Sequence, residues 1–264
     1  MTPPPAAAPL AVTPPPPARR PAALLFLRHQ AIPLVSAGVF AAMFATFLAL
    51  QPRGVSTAVL VTASNKGVLL ALAAAAQTLP VLTGGIDLSV GAVVVLSNCL
   101  ASTLLSGSPA HLALGCLLTL GSGLLAGGLN AAAVVLGRLQ PIIATIASST
   151  VFYGLALLLR PQPGGEVDDD LASLLTGAVG PVPVSLLVLI AVLVLFWLPF
   201  RRSVSGRTVY AVGSSEPAAF MSGLRTARAK ALAYVLAGLL AAASGLLLTL
   251  VSESAQASLT NAGD

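Results

Sequence analysis

The sequence has 264 residues, 56% of them hydrophobic and 8% charged, with a mean hydropathy of +0.95. A soluble domain carries about 25% charged residues, so this composition excludes a water-soluble globular enzyme or binding module. The net charge of +5 then bears on orientation in a bilayer rather than on nucleic acid. The predicted class is an all-α, polytopic transmembrane helical bundle, because in lipid every backbone polar group must be paired internally.

In chain order, residues 1–21 hold nine of the 20 prolines, at 3, 4, 5, 9, 14, 15, 16, 17 and 21. That density forbids a helix and predicts a disordered, proline-rich cytoplasmic tail over 1–30. A membrane domain over 31–257 and a short outer tail over 258–264 complete the expected layout. About seven spans are predicted, at 31–50, 67–82, 88–105, 111–136, 140–160, 182–200 and 231–250, the second and third short for a bilayer. With the N-terminus inside, the inner side collects Arg19, Arg20, Arg28, Arg138, Arg201, Arg202, Arg207, Arg225, Arg228 and Lys230. The outer side receives Arg53, Lys66 and Arg160. Ten basic residues against three satisfy the positive-inside rule. The acidic loop with Glu166, Asp168, Asp169 and Asp170 then falls outside.

Titratable chemistry is sparse. Cys99 and Cys116 lie in apolar runs and read as small buried residues. His29 and His111 have no ligand-spaced neighbours, so neither a metal site nor a catalytic triad is expected, and no cofactor.

Four stretches depart from apolar filler. LTGGIDLSVG at 82–91 separates two short runs, and its glycines Gly84, Gly85 and Gly91 allow a broken or re-entrant backbone. Asp87 there reads either as a cap on the helix that follows or as part of a broken helix beside a substrate path. Thr145, Ser148, Ser149, Thr150 and Tyr153 share one span. They read either as helix-packing hydroxyls or as neutral hydrogen-bonding groups lining a path for a polyhydroxy solute. Gly121, Gly123, Gly127 and Gly128 predict close helix packing ahead of Asn130, which is placed for a cross-helix hydrogen bond and joins the candidates for the path.

The fourth stretch, Arg201–Lys230, carries six of the 13 basic residues between two apolar runs. Within it Ser215 is a predicted N-cap, Glu216 and Pro217 suit a first turn, Ala218, Ala219 and Ser222 fall in the body, and Gly223 is a stop. So short a helix needs a partner, and Phe220 and Met221 are what a partner would cover, with Arg225 at the rim. The other reading is a solvated basic loop that only fixes topology.

The motifs TGGIDLSVG at 83–91, GGLNAAAVVLGRLQPIIATIASSTVFYGLALLL at 127–159 and GRTVYAVGSSEPAAFMSGLRTARAKALAYVLAGLLAAASGLLLT at 206–249 resemble the ribose-type permeases. These are the membrane subunits of bacterial sugar importers driven by ATP-binding-cassette subunits. The resemblance runs over about residues 55–257. It implies an inner-membrane subunit that pairs with a second permease subunit, either a homodimer or a heterodimer. Two cytoplasmic ATPase subunits would be its partners, and a periplasmic sugar-binding protein would deliver a pentose or hexose. The family's coupling loop aligns with Gly213–Lys230, so ATP would be hydrolysed on a partner chain and this one would not be an enzyme. Family members continue with further apolar spans after the region aligned with Leu246–Ala257, whereas this sequence stops at SLTNAGD. That ending reads as a truncated copy or as one whose remainder lies on another chain. The competing class is a non-transporting scaffold or a carrier that works without ATP, and the scarcity of ionisable residues in the spans disfavours an ion-coupled carrier.

Overall fold

The computed structural model describes residues 22–50, 56–255 and 257, in two compact units that divide between Val55 and Ser56. The proline-rich stretch 1–21, Arg53 and the 258–264 tail lie outside the described residues.

The first unit contributes one helix, α1 (Ala22–Leu50), with Pro33 inside it. It starts nine residues before the predicted boundary at 31, because Arg28 and His29 are not helix breakers and the backbone continues through them. Phe40, Phe44 and Phe47 stack along one side, with ring centroids 5.9 and 6.4 Å apart, as residues three and four apart on a helix can.

The second unit opens on α2 (Thr57–Val81), capped by Ser56, whose Oγ accepts from the Val59 N–H at 3.3 Å. The predicted start at 67 was ten residues late. TASNKG at 62–67 reads as a polar loop, yet it is helical: Asn65 is buried and its Nδ2 donates to the Thr176 carbonyl at 2.9 Å. The second span is therefore full-length, and Lys66 lies within it rather than in an outer loop. The third, α3 (Val90–Leu104), has only 15 residues, about 22 Å at 1.5 Å per residue, short of a hydrocarbon core of about 30 Å. Among the described residues six helices are long and apolar enough to cross a membrane, and α3 is a shorter apolar helix beside them. The six long ones are α1, α2, α4 (Pro109–Ala131, carried to Leu136 by a π-helical turn), α5 (Pro141–Leu159), the run Val184–Arg202, and α11 (Thr226–Ser252).

Helix α11 is the centre of this unit: 13 of its 27 residues are buried, and it packs against α2, α3 and α4. Small residues permit the approach. A Cβ added at Gly123 would meet the Gly238 carbonyl and the Ala242 Cβ, and one at Gly127 would meet the backbone of Tyr234 and Val235. Gly121 and Gly128, predicted to share this face, look onto open space. Residues four apart stack on one side of a helix and the other two fall off it. Ser244 Oγ donates to the Leu69 carbonyl at 2.9 Å, and Thr249 Oγ1 to Asn98 Oδ1 at 2.8 Å, which ties α11 to α2 and α3 through satisfied polar groups. Cys99 is fully buried, whereas Cys116 is only half-buried because it lies on the flank of α4.

One end of the unit gathers the acidic segment. Asp168 Oδ1 accepts from the Leu171 N–H at 2.8 Å and caps α6 (Asp169–Thr176), so what reads in sequence as a loop contains a helix. A two-residue hairpin, β1 (Ala178–Val179) with β2 (Val182–Pro183), leads into α7 (Val184–Ala191). The Asp168 N–H donates to the Leu105 carbonyl at 2.7 Å, Arg160 Nη2 donates to the Ser102 carbonyl at 2.9 Å, and Gly164 pairs with Ala255. The opposite end carries α8 (Leu198–Arg202), α9 (Val204–Ser214) and α10 (Glu216–Met221). The α9 helix has no counterpart among the predicted elements. Ser203 Oγ accepts from the Gly206 N–H at 3.0 Å, and Gly206, Val209 and Val212 form its buried stripe.

Candidate functional site

The basic end holds two linked features, a broken helix and a capped cross-piece. At the first, α2 ends at Val81, and the Pro80 carbonyl accepts from the Thr83 N–H at 2.9 Å, the Thr83 hydroxyl at 2.8 Å and the Gly85 N–H at 3.0 Å. Gly84 takes φ +79°, a left-handed conformation suited to a residue without Cβ. Burial then alternates along the segment, with Thr83, Gly85, Asp87 and Ser89 buried and Gly84, Ile86 and Leu88 exposed between them. Gly85 is required for space: a Cβ there would meet the Tyr234 hydroxyl and lie 3.5 Å from Pro141. Gly91 is different. It is exposed, and nothing lies within 4 Å of where its Cβ would be, so it is not a structural glycine of the break.

Three of the predicted path residues converge on this turn. Asp87 is buried, and its Oδ1 accepts from both the Ser89 N–H at 2.8 Å and the Ser89 hydroxyl at 2.6 Å. The carboxylate thus closes a local turn ahead of α3 rather than reaching the N–H groups inside that helix, as the capping alternative had it. Asn130 Nδ2 donates to Ser89 Oγ at 2.7 Å, and Thr145 Oγ1 accepts from the Leu88 N–H at 3.0 Å while donating to the Pro141 carbonyl at 2.9 Å. Helices α4 and α5 are thereby fastened to the break by side chains.

The other four candidates are not part of this cluster. Ser148 Oγ donates to the Thr145 carbonyl, and Ser149 and Thr150 both donate to the Ile146 carbonyl, so each hydroxyl is spent on its own helix. Tyr153 is half-buried beside an apolar groove of about 480 Å³ with Lys66, Leu70, Val94 and Leu248. Two cluster members were missing from the sequence reading. Ser89 could have been found two residues after Asp87, the spacing of an Asx turn. Tyr234 could have been found as a polar aromatic inside an apolar span. It is 1% exposed and its hydroxyl, abutting Gly85, has no hydrogen-bond partner among the described residues.

The cross-piece is α10. Ser215 Oγ accepts from the Ala218 N–H at 3.4 Å, Pro217 occupies the first turn, and Gly223 stops the chain with φ +77°. The Ser222 hydroxyl donates to the Ala218 carbonyl at 2.9 Å. Ala219 is buried in a small core with Val209, Val212 and Ala229, while Phe220 and Met221 are 67% and 84% exposed. Arg225 lies at the start of α11, on a groove of about 520 Å³ shared with Val204, Thr208, Leu224 and Arg228. Glu216 Oε2 and Lys230 Nζ, 2.6 Å apart, tie α10 to α11. A Cβ at Gly213 would strike the Leu82 carbonyl, so the end of α9 presses directly on the broken turn.

An apolar helical bundle, a glycine turn between two helices stitched by buried polar groups, and a capped helix slung between spans at the basic end define a multi-pass helical membrane protein. The chain belongs to the family described as branched-chain amino acid transport system, permease component, which it matches over residues 59–263. It is similar to the ribose import permease protein RbsC of Bacillus subtilis (strain 168), at 36% identity over 70% of this chain and 58% of that protein. It is also similar to the galactofuranose transporter permease protein YtfT of Escherichia coli (strain K12), at 33% identity over 75% of this chain and 58% of that one. With the autoinducer 2 import system permease protein LsrD of Escherichia coli O157:H7, identity is 29% over 81% of this chain and 67% of that one. The chain thus spans somewhat under two thirds of the length of the ribose and galactofuranose permeases it matches. No solved structure matches.

Proposed function

We propose that this chain is the membrane-spanning permease subunit of an ATP-binding-cassette importer that moves a monosaccharide, a ribose-like pentose or a hexose, across a bacterial inner membrane. ATP is hydrolysed on a separate cytoplasmic ATPase, a periplasmic binding protein delivers the sugar, and a second permease subunit completes the path through the bilayer. The observation that carries this reading is the geometry of α10. It is a short helix capped at both ends, with one residue sunk into the protein and two large apolar side chains held in the open. Such a helix is marginal alone, and its outward face is what a partner would cover. Force applied there passes to α11 through the Lys230–Glu216 pair, and to the broken turn through Gly213 against Leu82. Movement of the ATPase would therefore shift both walls of the path together. The N-terminus and the basic end face the cytoplasm in this scheme, by the charge distribution.

Phe220 should anchor in a pocket of the ATPase, and truncating an anchor of that kind costs about 2 kcal/mol or more of binding. Phe220→Ala should then weaken co-purification of the ATPase roughly tenfold or more. Arg225→Ala should matter less, and only at low salt. Equal recovery of the ATPase with parent and Phe220→Ala would leave the segment as a topology signal alone.

A further inference from the structure

The start of α9 and the start of α11 enclose the groove of about 520 Å³ on which Arg225 lies. Both walls grow out of membrane-crossing helices. The run Val184–Arg202 ends two residues before Val204, and α11 begins one residue after Arg225. On the α11 side the lining residues Arg225, Arg228 and Leu232 are spaced three and four apart, so they follow one another along one face for about 10 Å. Val204 and Thr208 repeat the four-residue spacing on α9, and Leu224 adds a further apolar side chain. The groove is therefore graded, with two guanidinium groups at its loop end and apolar side chains leading into a span. Arg225 and Arg228 are exposed, and the one ion pair among the described residues joins Lys230 to Glu216 instead. Glu216 is also the only acid between Arg201 and Lys230, against six basic residues.

We propose that this groove is a docking site for an anionic phospholipid of the bilayer, with the lipid phosphate at Arg225 and Arg228 and its chains along Val204 and Leu232. The proposal needs the membrane class alone and stands apart from the sugar and the ATPase. Charge complementarity selects the headgroup, because a guanidinium presents a planar fork of donors that matches a phosphate. Basic pockets between helices at a membrane surface are places where anionic headgroups bind. The apolar half selects a lipid over a soluble anion. Free phosphate would use only the arginine end, and an acidic protein segment would leave the Leu232 end, within a bilayer-crossing helix, still facing lipid chains. Depth agrees with this choice. Trp197, the chain's one tryptophan, lies four residues before Arg201 on the span that leads to Val204, and tryptophan is enriched at the headgroup level.

The position gives the lipid a mechanical role. The α10 helix hangs between α9 and α11, so a lipid seated against both walls holds together the two elements that carry it. Phe220 and Met221 do not line the groove, which leaves the outward face of α10 open while the lipid is bound.

The test titrates the full chain, purified in mild detergent, with dioleoyl phosphatidylglycerol or dioleoyl phosphatidylcholine and counts bound lipids by native mass spectrometry. Each arginine near a membrane surface is worth roughly fivefold in affinity for an anionic lipid. The parent should therefore bind its first phosphatidylglycerol roughly twentyfold more tightly than phosphatidylcholine. Arg225→Gln and Arg228→Gln should each remove roughly fivefold of that preference and leave phosphatidylcholine binding unchanged, which also shows that the variants are folded. Thr208→Trp, which fills the groove and keeps every charge, should abolish the preference. Arg207→Gln removes a nearby charge that does not line the groove and should change the affinity by less than about twofold. Equal affinity of the parent for the two lipids overturns the proposal. An equal loss in Arg207→Gln and Arg228→Gln overturns it too, since the attraction then belongs to the whole basic end. Displacement of phosphatidylglycerol by millimolar inorganic phosphate, or by hexaglutamate, reassigns the groove to a soluble anion or to an acidic protein segment and overturns the lipid.

Discussion

The α4–α11 crossing predicts opposite outcomes for neighbouring glycines of similar appearance in sequence. A methyl group at Gly238 would run into the Gly123 carbonyl and the Gly127 backbone, atoms that cannot move aside without parting the two helices. Gly238→Ala should therefore destabilise by about 1–3 kcal/mol, the usual cost of overpacking a well-filled site. At Gly121 nothing lies within 4 Å of the added Cβ and the residue is within α4. Gly121→Ala should stabilise by roughly 0.5–1 kcal/mol through reduced backbone freedom in the unfolded chain. The two variants should then differ by about 1.5–4 kcal/mol in unfolding free energy, measured by SDS titration of the purified chain in mild detergent. Gly123→Ala should follow Gly238→Ala, because the Gly238 carbonyl and Ala242 oppose it. Shifts of the same sign and size at Gly121 and Gly238 would show that the close approach does not carry the crossing.

Two further outcomes follow from the site. Asp87→Asn keeps an acceptor for the Ser89 N–H and hydroxyl and should be mild, whereas Asp87→Ala leaves both buried donors unpaired and should cost about 2 kcal/mol or more. If Asp87→Asn abolishes transport in an assembled importer with expression intact, the carboxylate acts through its charge rather than by holding the turn. For orientation, Glu166→Cys should be labelled by an impermeant reagent from the periplasmic side and Arg202→Cys should not. The reverse pattern would turn the protein over.

How much of this was legible in the sequence depended on whether the signal was local. The α10 helix could be read to its ends, because Ser215, Pro217 and Gly223 specify cap, first turn and stop from within nine consecutive residues. The break at 82–89 was likewise visible in its glycines. Helix α2 was not, since TASNKG reads as a loop unless one knows that Thr176, more than a hundred residues away, supplies the carbonyl that accepts from Asn65. Helix α9 escaped for the opposite reason: its buried stripe of Gly206, Val209 and Val212 is short, and it is apolar only toward a neighbour the sequence does not name.

Composition by itself determined the membrane class, and the charge distribution sets the expected orientation, because hydropathy and the excess of arginine at one end act residue by residue, without regard to which helices touch. Only the tertiary structure decided which small and polar residues matter. Gly123 and Gly127 were separated from Gly121 and Gly128, and Asp87, Asn130 and Thr145 from Ser148, Ser149, Thr150 and Tyr153, by what stands opposite each one. The same accounting raised Tyr234 from one more residue of an apolar span to a buried hydroxyl packed against Gly85 with no partner among the described residues. A hydroxyl's role is fixed by its partner, and in a helical bundle that partner is either four residues back on the same helix or on another helix altogether.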